Sequence, residues 1–423
     1  MDDEICDELL SFMSSGIYRF SGSNAVFIDP VCVLNNLYTQ FKVSPAVYYS
    51  RFVEVPSEVN DGNPVVPSSS TKSKKKRKRS SHCLNEREKS AENRHLNARS
   101  FLVSAYESFQ RAADLLRFLP NLLKGDDSLP DKRDAELNFI ELGNLWQAPL
   151  YEMSLCCSME NMPAEGGNQP SHCGEMRAVP IFNNLISNES GYDLEADFLD
   201  SRYILPGKCC FFMSDLRRVH DLIPAQPEYG YNLIIIDPPW ENGSVYQKAV
   251  YPTLPNKHLL YLPIKQLAHM EGTLVVLWIT NKEKLRIFVE EELFPAWGVT
   301  NISQFYWLKV KPDGSLIGEL DLFHHRPYEC LLLGHINGKD LDSAHMPTYD
   351  TLPKSQVIIS IPGAHSRKPP LGRLLCDYIP GPKPARCIDL FARELVAGWT
   401  SWGNEPLHFQ DSRYFLRRGH TSR

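Results

Sequence analysis

The chain has 423 residues, enough for two or three domains, with a net charge of −6 and 43% hydrophobic residues. Its acidic start, Met1-Asp2-Asp3-Glu4, is unlike a signal peptide. No apolar stretch approaches the roughly 20 residues that span a bilayer. Composition therefore argues against a secreted or membrane-spanning protein, and we expect a soluble, intracellular one.

Cysteine and charge narrow the class further. The eleven cysteines form no C-x-x-C pair and show no spacing typical of zinc sites, so we expect reduced thiols and no structural metal. Seven cations between Lys72 and Arg79 carry +7, which leaves −13 for the rest of the chain. An acidic body cannot bind nucleic acid through bulk charge, so any such contact must use a local basic patch.

The first 98 residues divide into two parts. Residues 1–55 are rich in apolar and aromatic side chains, which predicts a small folded segment of a few strands and a helix. Residues 56–98 are rich in Pro, Ser, Asn and charge, which predicts a disordered linker. The basic run Lys72–Arg79 within it resembles a nuclear localisation signal read by an import receptor. The alternatives are a nucleic-acid tether and a solvated charge run. We expect the nucleus as the main location, with the cytoplasm as a second one.

Residues 99–200 are predicted to form a helical and mixed region packed on the rest of the protein. Apolar residues recur at helical spacing within residues 98–123, and Pro120 ends the helical run. A second short helix is predicted over Asn138–Trp146, and Pro163–His172 is predicted as a loop.

From about residue 201 to 423, strand and helix patterns alternate, which predicts a doubly wound α/β domain. Helices are predicted over Asn281–Leu293, with Asn281 as the N-cap, and over Pro369–Ile379. Lys311–Gly314 is predicted as a turn between two strands. The predicted strands are Lys208–Met213, Asn232–Ile236, Gly272–Ile279, Phe305–Val310, Tyr328–Gly334, Val357–Ile361 and Arg386–Leu390.

The tetrapeptide Asp237-Pro238-Pro239-Trp240 follows the apolar run Leu233–Ile236. Such a run is typical of a buried parallel strand, the prolines end it, and ligands bind at the carboxyl ends of such strands. The Asp237 carboxylate and the Pro238 carbonyl can accept the two N–H bonds of a planar amine, so that its lone pair faces an electrophile.

Asp237 can also take up the released proton, and Trp240 offers an apolar face to a base. The tetrapeptide therefore predicts methyl transfer to the amino group of a nucleobase. The alternative is a strand-terminal Asp in an ordinary turn.

Seven short motifs share one order along the chain. They are Asp237–Trp240, Leu277–Thr280, Trp307–Lys309, Glu329–Leu331, Ser366–Pro369, Leu390–Arg393 and Trp402–Asn404. In this order they resemble the mRNA-adenosine methyltransferase family over roughly residues 205–410. The resemblance implies a Rossmann-like class I methyltransferase domain with permuted motifs. It also implies S-adenosylmethionine as the cofactor and the 6-amino group of adenine as the target.

The resemblance also assigns roles by position. Asp237 would contact the substrate amine and the cofactor, and Lys368 would bind the cofactor carboxylate. The other implied cofactor contacts are Asp215 and Leu216 near its adenine, and Arg393, Asn404 and Glu405 at its ribose and adenine. Family relatives carry a His-Asn pair after the Arg, where this chain has Glu394-Leu395-Val396, so Glu394 is predicted to accept from the ribose hydroxyls instead.

Two loops, 241–257 and 362–368, flank the tetrapeptide and are predicted to cover a splayed-out nucleotide. A bland solvated loop is the alternative for the individual side chains. The predicted substrate contacts are Trp240, Tyr246, Lys248, Tyr251, Trp278, His325, Arg326 and Arg367.

The resemblance implies an RNA substrate, most specifically an adenosine of a small nuclear RNA that already bears a 2′-O-methyl. DNA adenine is the main alternative. Two rivals from other classes are a glutamine-directed protein methyltransferase and a catalytically inactive scaffold that presents RNA. We expect a monomer, in which the N-terminal region serves in place of a partner subunit.

Overall fold

A computed structural model describes residues 7–52, 86–124, 137–156, 176–241, 253–322, 326–337, 349–364 and 367–419. The loop predicted over Pro163–His172 lies outside these ranges. The described strands form an 11-stranded sheet, a four-stranded sheet and a two-stranded ribbon.

Helices and strands are interspersed along the described residues. The α-helices are α1 (Asp7–Ser15), α2 (Pro30–Asn35), α3 (Pro45–Tyr48), α4 (Glu86–Arg111), α5 (Ala113–Phe118), α6 (Phe139–Asn144), α7 (Ile264–Leu267), α8 (Glu283–Phe288), α9 (Phe294–Trp297) and α10 (Gly372–Leu375). The strands are β1 (Ile17–Arg19), β2 (Ala25–Ile28), β3 (Phe41–Val43), β4 (Glu152–Cys156), β5 (Met176–Pro180), β6 (Leu185–Ser187), β7 (Leu194–Phe198), β8 (Ser201–Leu205), β9 (Cys210–Met213), β10 (Leu233–Ile236), β11 (Gly272–Ile279), β12 (Thr300–Lys309), β13 (Tyr328–Asn337), β14 (Ser355–Ser360), β15 (Cys387–Leu390), β16 (Trp399–Gly403) and β17 (Phe415–Arg417). A π-helical turn, Val289–Leu293, joins α8 to α9.

The large sheet has the strand order β1-β2-β14-β12-β13-β11-β10-β15-β16-β9-β6. Strand β10 lies next to the central strand β11 and is parallel to both β11 and β15. Strand β13 runs antiparallel between β11 and β12. The ends of β9, β10, β11, β12, β14, β15 and β16 therefore meet the start of β13 at one edge, which we call the carboxyl edge. Open α/β sheets bind ligands at this edge.

Both faces of the large sheet are covered. Alternate residues of β10 enter different core clusters, with Leu233 and Ile235 on the face of α10 and Ile234 and Ile236 on the face of α8 and α9. Burial of each apolar side chain of this kind contributes about 1.5–3 kcal/mol to the stability of the fold. Layers on both faces confirm the predicted Rossmann-like α/β class.

The N-terminal segment is part of this architecture. Strand β2 pairs in parallel with β14, so the described residues 7–52 contribute to the large sheet. The predicted linker over 56–98 is wrong at its end, because α4 begins at Glu86. The charges that favoured disorder are used in contacts: Arg94 of α4 is 2.9 Å from Glu283 and 2.8 Å from Glu290. Residues 56–85, with the basic run Lys72–Arg79, lie outside the described ranges.

Most predicted elements of the C-terminal half are present with shifted ends. Strand β11 has the predicted bounds, whereas β12 begins earlier, at Thr300, and β16 was not predicted. The Asn281 N-cap is wrong, because Lys282 takes that position and Asn281 donates elsewhere. Asn138 does cap α6, and its side chain accepts from the Glu141 amide. None of the helices in the described ranges is long and apolar enough to cross a membrane.

Candidate active site

The tetrapeptide forms a braced ledge at the carboxyl edge. The Asp237 amide donates to the Leu390 carbonyl of β15 at 3.3 Å, which fixes the end of β10. The Pro238 carbonyl accepts from the Trp240 amide at 2.8 Å, and the Pro239 carbonyl accepts from the Leu254 amide at 2.9 Å. A carbonyl oxygen has two lone pairs, so the Pro238 oxygen keeps acceptor capacity. That it accepts from a substrate amine stays a prediction.

Trp240 braces this ledge from beneath. Its Nε1 donates to the Trp278 carbonyl at 2.9 Å, and only 6% of the residue is exposed. The predicted open face for a base is therefore corrected: the indole is core, with its N–H paired at the end of β11.

A chain of alternating charges starts at Asp237. The Lys368 Nζ lies 3.5 Å from Asp237 Oδ2 and 2.9 Å from Glu329 Oε2. The other oxygen of Glu329 binds the ammonium of Lys309. These groups come from the end of β10, the segment after β14, the start of β13 and the end of β12, so the sheet topology alone brings them together. We call Asp237, Lys368, Glu329 and Lys309 the charge chain.

Burial and neighbouring charges set the protonation of the charge chain. Burial raises the pKa of Asp237, and Lys368 partly offsets that rise. Burial also acts against ionised Glu329, but Lys368 and Lys309 together lower its pKa to about 2. Burial opposes the charged form of Lys368 as well, yet Asp237 and Glu329 raise its pKa. Near neutral pH, Glu329 is ionised and Lys368 is a cation held between two carboxylates.

Aromatic rings line the floor under these cations. The Lys368 Nζ is 5.2 Å from the centroid of Trp278, and the Lys309 Nζ is 4.2 Å from that of Trp307. The two indoles meet edge to face at 5.7 Å. Trp278 was predicted to contact substrate, but it is 2% exposed and supports Lys368 instead.

A buried ion pair lies beside the charge chain. The Arg367 Nε is 3.1 Å from Glu394 Oε2, and a second guanidinium nitrogen contacts Oε1. The guanidinium lies between the rings of Tyr48 and Phe409, 4.4 Å from each centroid. Arg367 is 4% exposed, so its predicted substrate contact is wrong. Both oxygens of Glu394 bind Arg367, and the acceptance of a ribose hydroxyl by Glu394 stays a prediction.

Replacing Arg367 with Met is expected to lower the free energy of unfolding by about 3–5 kcal/mol, because it leaves the Glu394 carboxylate buried without its partner. Urea unfolding measures the change. The control is Arg111→Ala, which breaks an exposed pair with Glu107 and should cost less than about 1 kcal/mol. Equal effects of the two variants would contradict the buried pair.

The far half of the carboxyl edge presents further polar groups. Strands β9 and β16 end side by side, with the Ser214 amide donating to the Gly403 carbonyl at 3.1 Å. Asp215 and Leu216 follow β9, and Asn404 and Glu405 follow β16. The Asp215 carboxylate pairs with Arg217 at 2.5 Å, and that pairing lowers the pKa of Asp215.

Arg393 follows β15, and its Nε lies 3.0 Å from Glu405 Oε1. Together the edge offers an ammonium for a carboxylate, carboxylates for hydroxyl groups and an amide for a base. This donor set fits a nucleoside that carries an amino acid, as S-adenosylmethionine does.

Arg326 does not lie on an open substrate surface. Its Nε donates to the Leu322 carbonyl at 2.8 Å, and it pairs with Glu92 of α4 at 3.2 Å. The predicted substrate contact is therefore corrected to a structural link between α4 and the start of β13. The remaining predicted substrate residues, Tyr246, Lys248, Tyr251 and His325, lie outside the described residues.

Three acids and bases of the site were missed in the sequence. Lys309 and Glu329 lie in the motifs Trp307–Lys309 and Glu329–Leu331, but the resemblance assigns neither a role. Asp389 lies on β15 opposite Ile235, and burial, with Asp237 and Glu394 nearby, raises its pKa well above the usual range. The available signal was a charged residue within an otherwise apolar strand, which is costly unless paired or functional. The described residues contain no cluster of His, Cys, Asp and Glu able to hold a metal ion.

Comparisons with known proteins agree with this geometry. The MT-A70 family model matches residues 231–405, which contain the whole charge chain. The mouse protein named N(6)-adenine-specific methyltransferase METTL4 is 37% identical over 56% of this chain and 50% of its own length. A Caenorhabditis elegans protein named DNA N6-methyl methyltransferase is 32% identical over 51% of this chain and 56% of its own length.

The Pyricularia oryzae protein named N6-methyladenosine RNA methyltransferase MTA1 is 30% identical over 64% of this chain and 70% of its own length. The chain thus spans about half the length of the mouse relative and more of the fungal one. MT-A70 methyltransferases use S-adenosylmethionine as the methyl donor. The resemblance inferred from the ordered motifs is confirmed, and the chain belongs to the MT-A70 family.

Proposed function

We propose that this chain is an S-adenosylmethionine-dependent methyltransferase of the 6-amino group of adenine in RNA. The observation that carries the proposal is the placement of Asp237 on a rigid ledge, 3.5 Å from the Lys368 ammonium. A carboxylate acceptor and a cation for the cofactor's carboxylate then lie on the same edge.

Each residue of the site has a physical task in this proposal. Asp237 accepts an N–H of the amine, and its raised pKa makes it a better acceptor for the released proton. Lys368 binds the carboxylate of the cofactor as a point charge, and Glu329 holds Lys368 in place. When bound, S-adenosylmethionine supplies the electrophilic methyl group.

The specific substrate we propose is a 2′-O-methylated adenosine of a small nuclear RNA. The name of the fungal relative, N6-methyladenosine RNA methyltransferase, supports an RNA substrate. The motif resemblance supports a small nuclear RNA as the specific substrate. DNA adenine is the second candidate, which the name of the nematode relative favours. The complete charge chain disfavours an inactive scaffold, because its buried charges have a use in catalysis. The acid at position 237 fits adenine better than a glutamine side chain.

We also infer a monomeric enzyme that enters the nucleus through the basic run Lys72–Arg79. The N-terminal strands β1 and β2 extend the large sheet, and α4 packs on it, which supports a protein that needs no partner subunit. Light scattering of the full chain that reports a dimer would contradict the monomer.

The test of the substrate is methyl transfer from labelled S-adenosylmethionine to short oligonucleotides. Three matched substrates are needed: RNA with one 2′-O-methylated adenosine, the same RNA without it, and DNA of that sequence. Transfer that favours the first substrate, and is lost in Asp237→Ala, is the expected result. Preference for DNA would overturn the RNA assignment. Cofactor binding without transfer to any of the three would overturn the nucleic-acid assignment.

A further inference from the structure

Asn281 contacts the residues on both sides of Glu329. It lies two residues beyond the end of β11, and its carboxamide reaches both chain neighbours of Glu329. The Asn281 Nδ2 donates to the Tyr328 carbonyl at 2.9 Å, and its Oδ1 accepts from the Cys330 thiol at 3.2 Å. One side chain therefore binds the backbone carbonyl of the residue before Glu329 and the thiol side chain of the residue after it.

The Asn281 side chain takes the place of a hydrogen bond between β11 and β13. Strand β11 pairs with β13 only as far as Ile279, which lies opposite Cys330. Tyr328 and Glu329 extend past that last pair, and on the other side they pair with β12. An extended backbone held on one side is free to shift unless its polar groups find other partners. The Asn281 amide supplies the hydrogen bond that β11 no longer provides.

Helix α4 also holds Tyr328, through the hydroxyl of its side chain. The Nδ1 of His95 lies 3.0 Å from the Tyr328 hydroxyl, and the two rings stack at 6.0 Å. Both residues are buried, at 3% and 4% exposure. Burial lowers the pKa of His95, which favours the neutral ring, and raises that of Tyr328 to about 12, which keeps its proton. A neutral imidazole and a phenol form a matched acceptor and donor.

The position of Glu329 matters because its two oxygens serve two different elements. One binds Lys368, at 2.9 Å, after β14, and the other binds Lys309 at the end of β12. A displacement of about 1 Å would break one of these contacts, since charge-assisted bonds of this kind span only about 2.7–2.9 Å. Lys368 would then turn toward Asp237 and away from the cofactor carboxylate.

We propose that Asn281 is a positioning residue that holds Glu329 against Lys368, and that His95 makes this arrangement depend on α4. The inference rests on the proposed function, in which Lys368 binds the carboxylate of the cofactor. It assigns the N-terminal helix a role in cofactor affinity, although α4 contributes no residue to the charge chain.

The experiment compares two ligands by calorimetry on the full chain. S-adenosylhomocysteine carries the amino acid carboxylate, and 5′-methylthioadenosine lacks the amino acid part. Asn281→Ala is expected to weaken binding of the first about tenfold, which is 1.4 kcal/mol, and to change binding of the second less than twofold. The matched control is Asn184→Ala, which also removes an amide bound to a backbone carbonyl and should alter neither affinity.

A second variant keeps the test independent of folding. Tyr328→Phe removes only the hydroxyl that His95 binds, and about a threefold loss confined to S-adenosylhomocysteine is expected. Equal losses for both ligands in Asn281→Ala would overturn the positioning role while leaving the proposed function intact. Unchanged binding in Tyr328→Phe would overturn the role of α4. Failure of the wild-type chain to bind either ligand would instead overturn the proposed function.

Discussion

Replacing Asp237 with Asn is expected to lower kcat for adenine methylation by about 10³-fold, because loss of a positioned acid or base costs about 10²–10⁴-fold. The amide keeps the size and one acceptor oxygen of the carboxylate. Its NH₂ group, however, donates where the substrate amine needs an acceptor, and it cannot take up the proton. Single-turnover transfer from labelled S-adenosylmethionine measures the chemical step directly.

Cofactor affinity separates this effect from a damaged site. Asp237 is 3.5 Å from Lys368, whereas Glu329 is closer, at 2.9 Å, so Glu329 still holds the ammonium in the variant. Binding of S-adenosylhomocysteine should therefore change only a few-fold. The control is Asp313→Asn, an exposed acid that accepts from Ser315 in a turn, and its kcat should match the wild type. A kcat in Asp237→Asn within tenfold of the wild type would contradict the acceptor role.

The central sheet and the position of Asp237 could be predicted because their signals are local. Strands β10 and β11 are continuous apolar runs, and a proline pair marks the end of β10. Strand direction then puts Asp237 at the edge where ligands bind. The order of the motifs added Lys368, which the structure places beside Asp237.

The direction of the aromatic and basic side chains could not be predicted, because it depends on partners distant in sequence. Arg367 was assigned to substrate, since nothing near it shows that Tyr48 and Glu394 enclose it. Trp240 and Trp278 were assigned to the base for the same reason. A motif indicates that a residue is important. The burial of that residue then decides whether it contacts a ligand or supports another residue that does.

Helix α4 shows the same limit from composition. Its charged N-terminal half resembles a solvated linker, whereas the tertiary contacts of Glu92, Arg94 and His95 show why it folds. Charge-rich helices of this kind are stable when their ion pairs and one apolar stripe meet a partner surface.

Replacing Lys368 with Met is expected to weaken binding of S-adenosylmethionine about 100-fold, or about 2.7 kcal/mol, within the cost of truncating one partner of a buried charge pair. Methionine keeps an apolar side chain of similar length but loses the ammonium, which lies over the Trp278 ring and in the proposed function binds the cofactor carboxylate. Calorimetry measures the affinity. The matched ligand is 5′-methylthioadenosine, whose binding should change little. An equal loss for both ligands would contradict a direct contact with the carboxylate.

The same variant should move the pH dependence of the reaction. Asp237 works as a carboxylate, so activity is lost as pH falls through its pKa, and a higher pKa shifts that loss to higher pH. Burial already raises the pKa of Asp237, and Lys368 is the main group that opposes the rise. Removing Lys368 should therefore shift the acid limb of kcat/KM to higher pH. Lys309→Met is the control, because Lys309 binds Glu329 and should shift the limb less. An acid limb at the wild-type pH in Lys368→Met would contradict the coupling of Lys368 to Asp237.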